Sequence, residues 1–198
     1  MRLLAPIALA AVLVACSAEA PTETPAPPVE SEAPVDANAL TANGWSPLRI
    51  GMTRAEVVAA LGEDANPDAV GGPEPDVCDQ FRPVQAPEDM LLMLENGVLT
   101  RISLVRNATL RTDRGFGLGD SADAIKAAYG DAAIVSPHQY QEAPAEYVTV
   151  WTVGGPASAR GYTEDPNARG IRYEIGGEGT VEAIHAGGKS IQYVEGCL

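Results

Sequence analysis

The chain is poor in cations. It has 13 lysine and arginine residues against 27 aspartate and glutamate, for a formal net charge of −14 over 198 residues. That balance excludes nucleic acid or an anionic lipid surface held through bulk electrostatics, since both would repel it. It favours solubility, and it favours a cationic partner over an anionic one. Histidine is scarcer still, with His138 and His185 the two present. Neither has a second imidazole at helical ligand spacing, so both read as surface or edge residues and no metal site is expected. Asp64-Ala-Asn66-Pro-Asp68 opens with calcium-loop spacing, but Ala69 stands where that loop needs glycine and Pro75 where it needs a bidentate glutamate. Such a segment after a helix reads as a turn. Also missing are the Gly-x-Ser-x-Gly elbow, the P-loop, the His-Glu-x-x-His pair and the dinucleotide fingerprint. The chain is therefore expected to be neither an enzyme nor a cofactor carrier.

There is no apolar run long enough to span a bilayer. The stretch Leu3–Leu13 follows the single base Arg2 and ends in Leu13-Val14-Ala15-Cys16. This is the layout of a bacterial export signal closed by a lipobox. It predicts that residues 1–15 are removed and that Cys16 is acylated, with palmitate among its chains; two or more chains anchor a protein stably. Residues 16–40 are rich in Pro, Ala, Glu and Thr, lack aromatics and bases, and carry Glu19, Glu23, Glu30, Glu32 and Asp36. Such a stretch buries too little apolar surface to fold and is expected to act as an extended tether. The folded body then comprises a first part, 41–110, and a second, 111–198. After lipidation two cysteines are left, Cys78 and Cys197. In an oxidising compartment that even remainder predicts one disulfide.

The body contains one pattern twice. Residues 50–63 read IGMTRAEVVAALGE and residues 118–131 read LGDSADAIKAAYGD, at a constant offset of 68. Thr53 and Ser121 take the N-cap position, where a side-chain oxygen satisfies an orphan amide of the first turn. Thr53 and Glu56 have capping-box spacing. Gly62 and Gly130 stop the two helices. Helices of two or three turns are unstable alone and need a sheet to pack on. Strands are expected around Val77–Arg82, at Met90–Leu94 and Val98–Val105 about an Asn96-Gly97 turn, at Tyr147–Val153, at Gly170–Ile175 and Thr180–His185 about a glycine-rich turn, and at Ile191–Glu195. The predicted fold class is α+β: two related helix-plus-antiparallel-sheet repeats, with helices packed on one sheet face.

The run IGMTRAEVVAALGE, behind a lipidated cysteine and a polar tether, resembles the small outer-membrane lipoproteins of the SmpA/BamE type. Its tandem copy resembles the repeats of β-lactamase-inhibitor proteins. Members of that superfamily bind proteins and perform no chemistry, so the resemblance implies a protein-binding or assembly module of the cell envelope. Ser17 in place of aspartate, by resemblance to Gram-negative lipoproteins generally, implies the outer membrane, facing the periplasm or the cell surface. Gly119-Asp120-Ser121 is similar to the nucleophile block of GDS-type esterases, but the closing block is Glu182-Ala-Ile-His185, without the aspartate. Ser121 is already accounted for as a cap.

Aromatic residues gather in the second part. Tyr147, Trp151 and Tyr173 alternate with polar residues and are expected to share one strand face, either as core or as a platform for a protein or a stacked sugar. The segment 154–169, GGPASARGYTEDPNAR, reads as a mobile surface loop suited to recognition. Trp151, Tyr162 and Tyr173 are the candidate binding residues. The expected partner is an envelope protein, possibly cationic; the alternatives are inhibition of a cationic exported hydrolase and binding of carbohydrate or peptidoglycan. Membrane contact is expected through the lipid anchor alone.

Overall fold

A computed structural model describes Asp36 and residues 38–68, 71–156 and 161–197. Cys16, the signal segment 1–15 and nearly all of the tether lie outside the described residues. The strands are β1 (Cys78–Phe81), β2 (Met90–Glu95), β3 (Val98–Leu104), β4 (Ile134–Pro137), β5 (Glu146–Val153), β6 (Arg169–Ile175) and β7 (Val181–Gly187). The helices are α1 (Arg54–Leu61) and α2 (Ala122–Tyr129), eight residues each.

These strands form one continuous antiparallel sheet in the order β1-β2-β3-β7-β6-β5-β4. The expectation of two helix-plus-sheet repeats is therefore corrected. β3 pairs directly with β7, Ser103 opposite His185, so neither part keeps a sheet of its own. The helices are minor additions to a mostly β body. At the seam, Gly187 has a φ of 145° and a side chain there would run into the Thr100 carbonyl. Glycine is what allows the strands to close up. The outer strands β1 and β4 have four residues each, and β4 ends in Pro137, both features that blunt a sheet edge.

Local chemistry accounts for the elements. Asn96 and Gly97 both have positive φ, as a tight hairpin turn between β2 and β3 requires. Thr53 caps α1 in a complete capping box with Glu56, and Ser121 caps α2 by accepting from the Ala124 amide. The two caps meet the sheet alike. Gly51 and Gly119 donate to the Leu99 and Val181 carbonyls; Arg54 and Ala122 donate to those of Gly97 and Gly179. Val57 and Leu61 of α1, with Ala122 and Ile125 of α2, join one apolar cluster with Phe81, Leu92, Ile102, Tyr173 and Ile184. Leu40 and Leu48 belong to the same cluster. The Leu40 amide donates to the Arg111 carbonyl, so the folded body already includes the end of the segment expected as tether.

Candidate functional site

Side chains of a strand point alternately to opposite faces. With one face given to the apolar core, the other receives Arg101, Ser103, Tyr147, Arg172, Glu174 and His185 from β3, β5, β6 and β7. Glu174 joins both histidines. Nε2 of His138 lies 3.2 Å from one carboxylate oxygen and Nε2 of His185 lies 3.4 Å from the other. The amides of Tyr140 and Gln141 donate to Nδ1 of His138, so its Nε2 carries the hydrogen and donates to Glu174. On the far side of His185, Nδ1 lies 2.9 Å from the Ser103 hydroxyl. Burial pushes the His185 imidazolium down to about 4, and the hydrogen bond from His185 leads the effects that hold Glu174 at about 2. At neutral pH the His185 imidazole is neutral and the carboxylate is ionised. The two histidines are thus enclosed and tied to one carboxylate, not the surface or edge residues expected.

Serine, histidine and glutamate compose a hydrolytic triad in other folds. Here Ser103 is 1% exposed in the middle of the sheet. No acyl carbon can approach its oxygen, so the chain of hydrogen bonds serves as a structural tie and not as a nucleophile system. Ser121 caps α2, and the hydrogen-bond partners of His185 among the described residues are Ser103 and Glu174. Asp64 closes a turn by accepting from the Asn66 and Arg82 amides, and no group of three or more potential metal ligands occurs among the described residues.

The C-terminal segment crosses this polar face as a strap. Arg101 donates to the carbonyls of Ser190 (3.2 Å) and Tyr193 (3.0 Å), and Arg172 to those of Ile191 (3.3 Å) and Gln192 (2.8 Å). Both guanidiniums are buried, which lowers their pKa, that of Arg101 to about 10. Because these carbonyls face the arginines, Lys189–Gln192 forms a 3-10 turn, and the strand expected at Ile191–Glu195 is absent. The Cys78–Cys197 disulfide ties the end of the strap to β1. Gln192 in turn holds both the amide and the carbonyl of Thr163, and the Tyr162 hydroxyl donates to the Gln192 carbonyl. The later part of the 154–169 loop is thus pinned to the strap; residues 157–160 lie outside the described residues.

Beside the disulfide the strap borders a groove of about 750 Å³. Tyr140 (64% exposed) and Tyr162 (61%) line it with Tyr193, Val77 and Val194. Glu74, Glu95 and Glu195 stand among them, and no lysine or arginine lines it among the described residues. The Tyr193 hydroxyl donates to Glu95 at 3.2 Å and the Tyr140 hydroxyl donates to Glu195. Ring faces and carboxylates therefore alternate on one surface.

Of the three expected binding aromatics, Tyr162 lies in this groove. Trp151 is half-buried, its ring packed against Gly155 and Gly170. Tyr173 is corrected outright: it is 0% exposed and points into the core, where its hydroxyl meets those of Tyr129 (3.0 Å) and Thr112 (3.3 Å). Its strand partner is Val148, so it faces opposite to Tyr147 and Trp151. Sequence reasoning missed the polar face. Its signal was present in Arg172 and Glu174, charged residues two apart within the apolar strand β6. No family model, no curated protein and no solved structure matches the chain.

Proposed function

We propose that this protein is a non-catalytic, lipid-anchored binding module of the bacterial envelope, and that it takes a cationic segment of a protein partner in the groove beside its disulfide. One observation carries the reading: among the described residues, three tyrosines and three glutamates line that groove with no lysine or arginine. Aromatic faces attract ammonium and guanidinium groups, and partly desolvated carboxylates pair with them. Tyrosine is also rigid and amphipathic, which suits it to interface hot spots. The net charge of −14 would steer a basic partner toward the body. A basic exported hydrolase fits this chemistry, as does the basic rim of an assembly partner. The lipobox at Cys16 would hold the module at the membrane and raise its local concentration there.

The test is titration calorimetry of the mature protein with a peptide alternating lysine or arginine with leucine, against its glutamate counterpart. The basic peptide should bind, with affinity falling steeply as salt rises. Tyr162→Ala and Glu95→Gln should each weaken it. Equal binding of both peptides, or binding insensitive to salt and to both substitutions, would reject the reading. Labelling with a palmitate analogue, lost in Cys16→Ala, tests the anchor separately.

A further inference from the structure

A second, smaller cavity of about 120 Å³ opens on the same polar face and shares Tyr162 with the groove. Its floor is a row of directly paired residues, Ile134, Thr149 and Arg172, from β4, β5 and β6. Trp151, Ser136 and Tyr162 stand around it, with Pro156, Gly161 and Gln192.

Arg172 is the unusual member. It is 9% exposed, yet it joins none of the eight ion pairs among the described residues. Both of its hydrogen bonds to the strap leave from Nη1. Nε is buried without a partner, and the hydrogen bonds Arg172 makes among the described residues leave Nη2 unused. The guanidinium is fixed in place because its Cζ lies 3.7 Å over the Tyr147 ring. Burying a cation that meets no carboxylate is costly. Nε has no accessible surface, so the donor left for an anion is Nη2, with its two hydrogens. Ser136 and Thr149 add hydroxyls, while Ile134 and Trp151 supply apolar wall. The volume equals about four water molecules, enough for a carboxylate with a body of one or two carbons.

We infer that the Arg172 cavity is a binding site for a small carboxylate group. The carboxylate accepts from Nη2 of Arg172 and from the Thr149 hydroxyl and lays its carbon body against Trp151. The group could arrive as a free short-chain acid or as the C-terminal carboxylate of a polypeptide. The inference is independent of the groove reading, since its ligand is an anion and its probe is too small to fill the groove.

The experiment is nitrogen–proton NMR of the mature protein, following the Arg172 Nε–H and the Thr149 amide while sodium acetate is added. Both signals should move and saturate with a Kd on the order of millimolar, the range open to a ligand of four heavy atoms. Acetamide, neutral and of the same shape, should not saturate them. Arg172→Lys keeps the charge but loses the planar Nη2 donor and should weaken acetate about tenfold or more. If that variant loosens the strap, Thr149→Val serves in its place, removing one hydroxyl without touching the Arg172 clamp, and should weaken acetate several-fold. A short peptide with a free C-terminus binding more tightly than acetate, while its C-terminal amide does not bind, assigns a polypeptide end; equal affinities assign a free acid. The inference is overturned if acetate produces no saturable shift, if acetamide matches it, if inorganic phosphate binds more tightly, or if a folded Thr149→Val protein binds acetate unchanged.

Discussion

The Ser103 hydroxyl and Nδ1 of His185 lie 2.9 Å apart across the seam where β3 meets β7. The two residues are directly opposite in the register, so the link between the two parts of the sheet runs through a neutral imidazole. The imidazole stays neutral because the folded chain encloses it near Arg101 and Arg172.

That neutrality makes the fold acid-sensitive. His185 is held at about 4 when folded and returns to its ordinary 6.5 when unfolded. The unfolded chain thus binds more protons, and the stability from His185 is complete above pH 6.5 and lost as pH falls through 4. Glu174, held at about 2 against an ordinary 4.5, adds stability that is present above 4.5 and lost as pH falls through 2. Urea unfolding should show stability falling between pH 7 and pH 4 by up to about 3 kcal/mol. In His185→Gln the pH 7 value should drop while the slope between pH 6.5 and 4 flattens. A wild-type curve flat across that window would refute the assignment of a buried neutral imidazole.

The disulfide should matter most at the strap. It closes a loop with a sequence separation of 119, for which chain entropy gives an upper figure of about 5 kcal/mol. Cys78→Ala with Cys197→Ala should lower global stability by a few kcal/mol in urea. Local opening should exceed global opening there, so the amides of Ile191 and Tyr193 should exchange faster than those of β6 in the same protein. Uniform loss of protection across the sheet would mean that the strap and sheet unfold as one unit.

What could be read beforehand was what physics settles within a few residues. The Thr53–Glu56 capping box and the Asn96-Gly97 turn each complete their hydrogen bonding locally, and both stand where the pattern puts them. The pairing of β3 with β7 joins residues some eighty positions apart, and nothing near Ser103 announces His185. Parity failed for the same reason. Alternation along one strand places Tyr147 and Trp151 together, but whether Tyr173 shares their face depends on its register with Val148. The groove is assembled from the segment leading into β1, the end of β2, the 139–140 turn, the 162 loop and the strap. Its residues are scattered over more than a hundred positions, so no motif could collect them. The strap itself was misread because the apolar alternation of Ile191 and Tyr193 resembles a strand, whereas two distant arginines claim its carbonyls.

The two caps should differ in weight. Thr53 accepts from the Glu56 amide, and the Glu56 carboxylate in turn accepts from the Thr53 amide; Ser121 has the first of these bonds only, to Ala124. Loss of a cap costs about 1 kcal/mol, and a reciprocal box satisfies one further donor. Thr53→Ala should therefore destabilise the protein by more than Ser121→Ala, each by about 0.5–2 kcal/mol in urea. If the order is reversed, the capping box adds nothing in this fold.

Tyr162 and Tyr173 should separate binding from folding. Tyr173→Phe removes a core hydroxyl that lies 3.0 Å from Tyr129 and 3.3 Å from Thr112, stranding polar groups in an enclosed place. It should cost about 1–3 kcal/mol of stability and leave the affinity for a basic peptide unchanged. Tyr162→Phe loses one hydrogen bond at the surface, to the Gln192 carbonyl, and keeps the ring. Its effect on both properties should be small. Tyr162→Ala removes the ring from the groove and should weaken the basic peptide by about tenfold, the range of an interface aromatic, while the unfolding midpoint moves little. Calorimetric binding and urea unfolding on the same three proteins check the pattern. If Tyr173→Phe weakened the peptide as much as Tyr162→Ala, the contact would involve the sheet as a whole and the groove would not be the recognition surface.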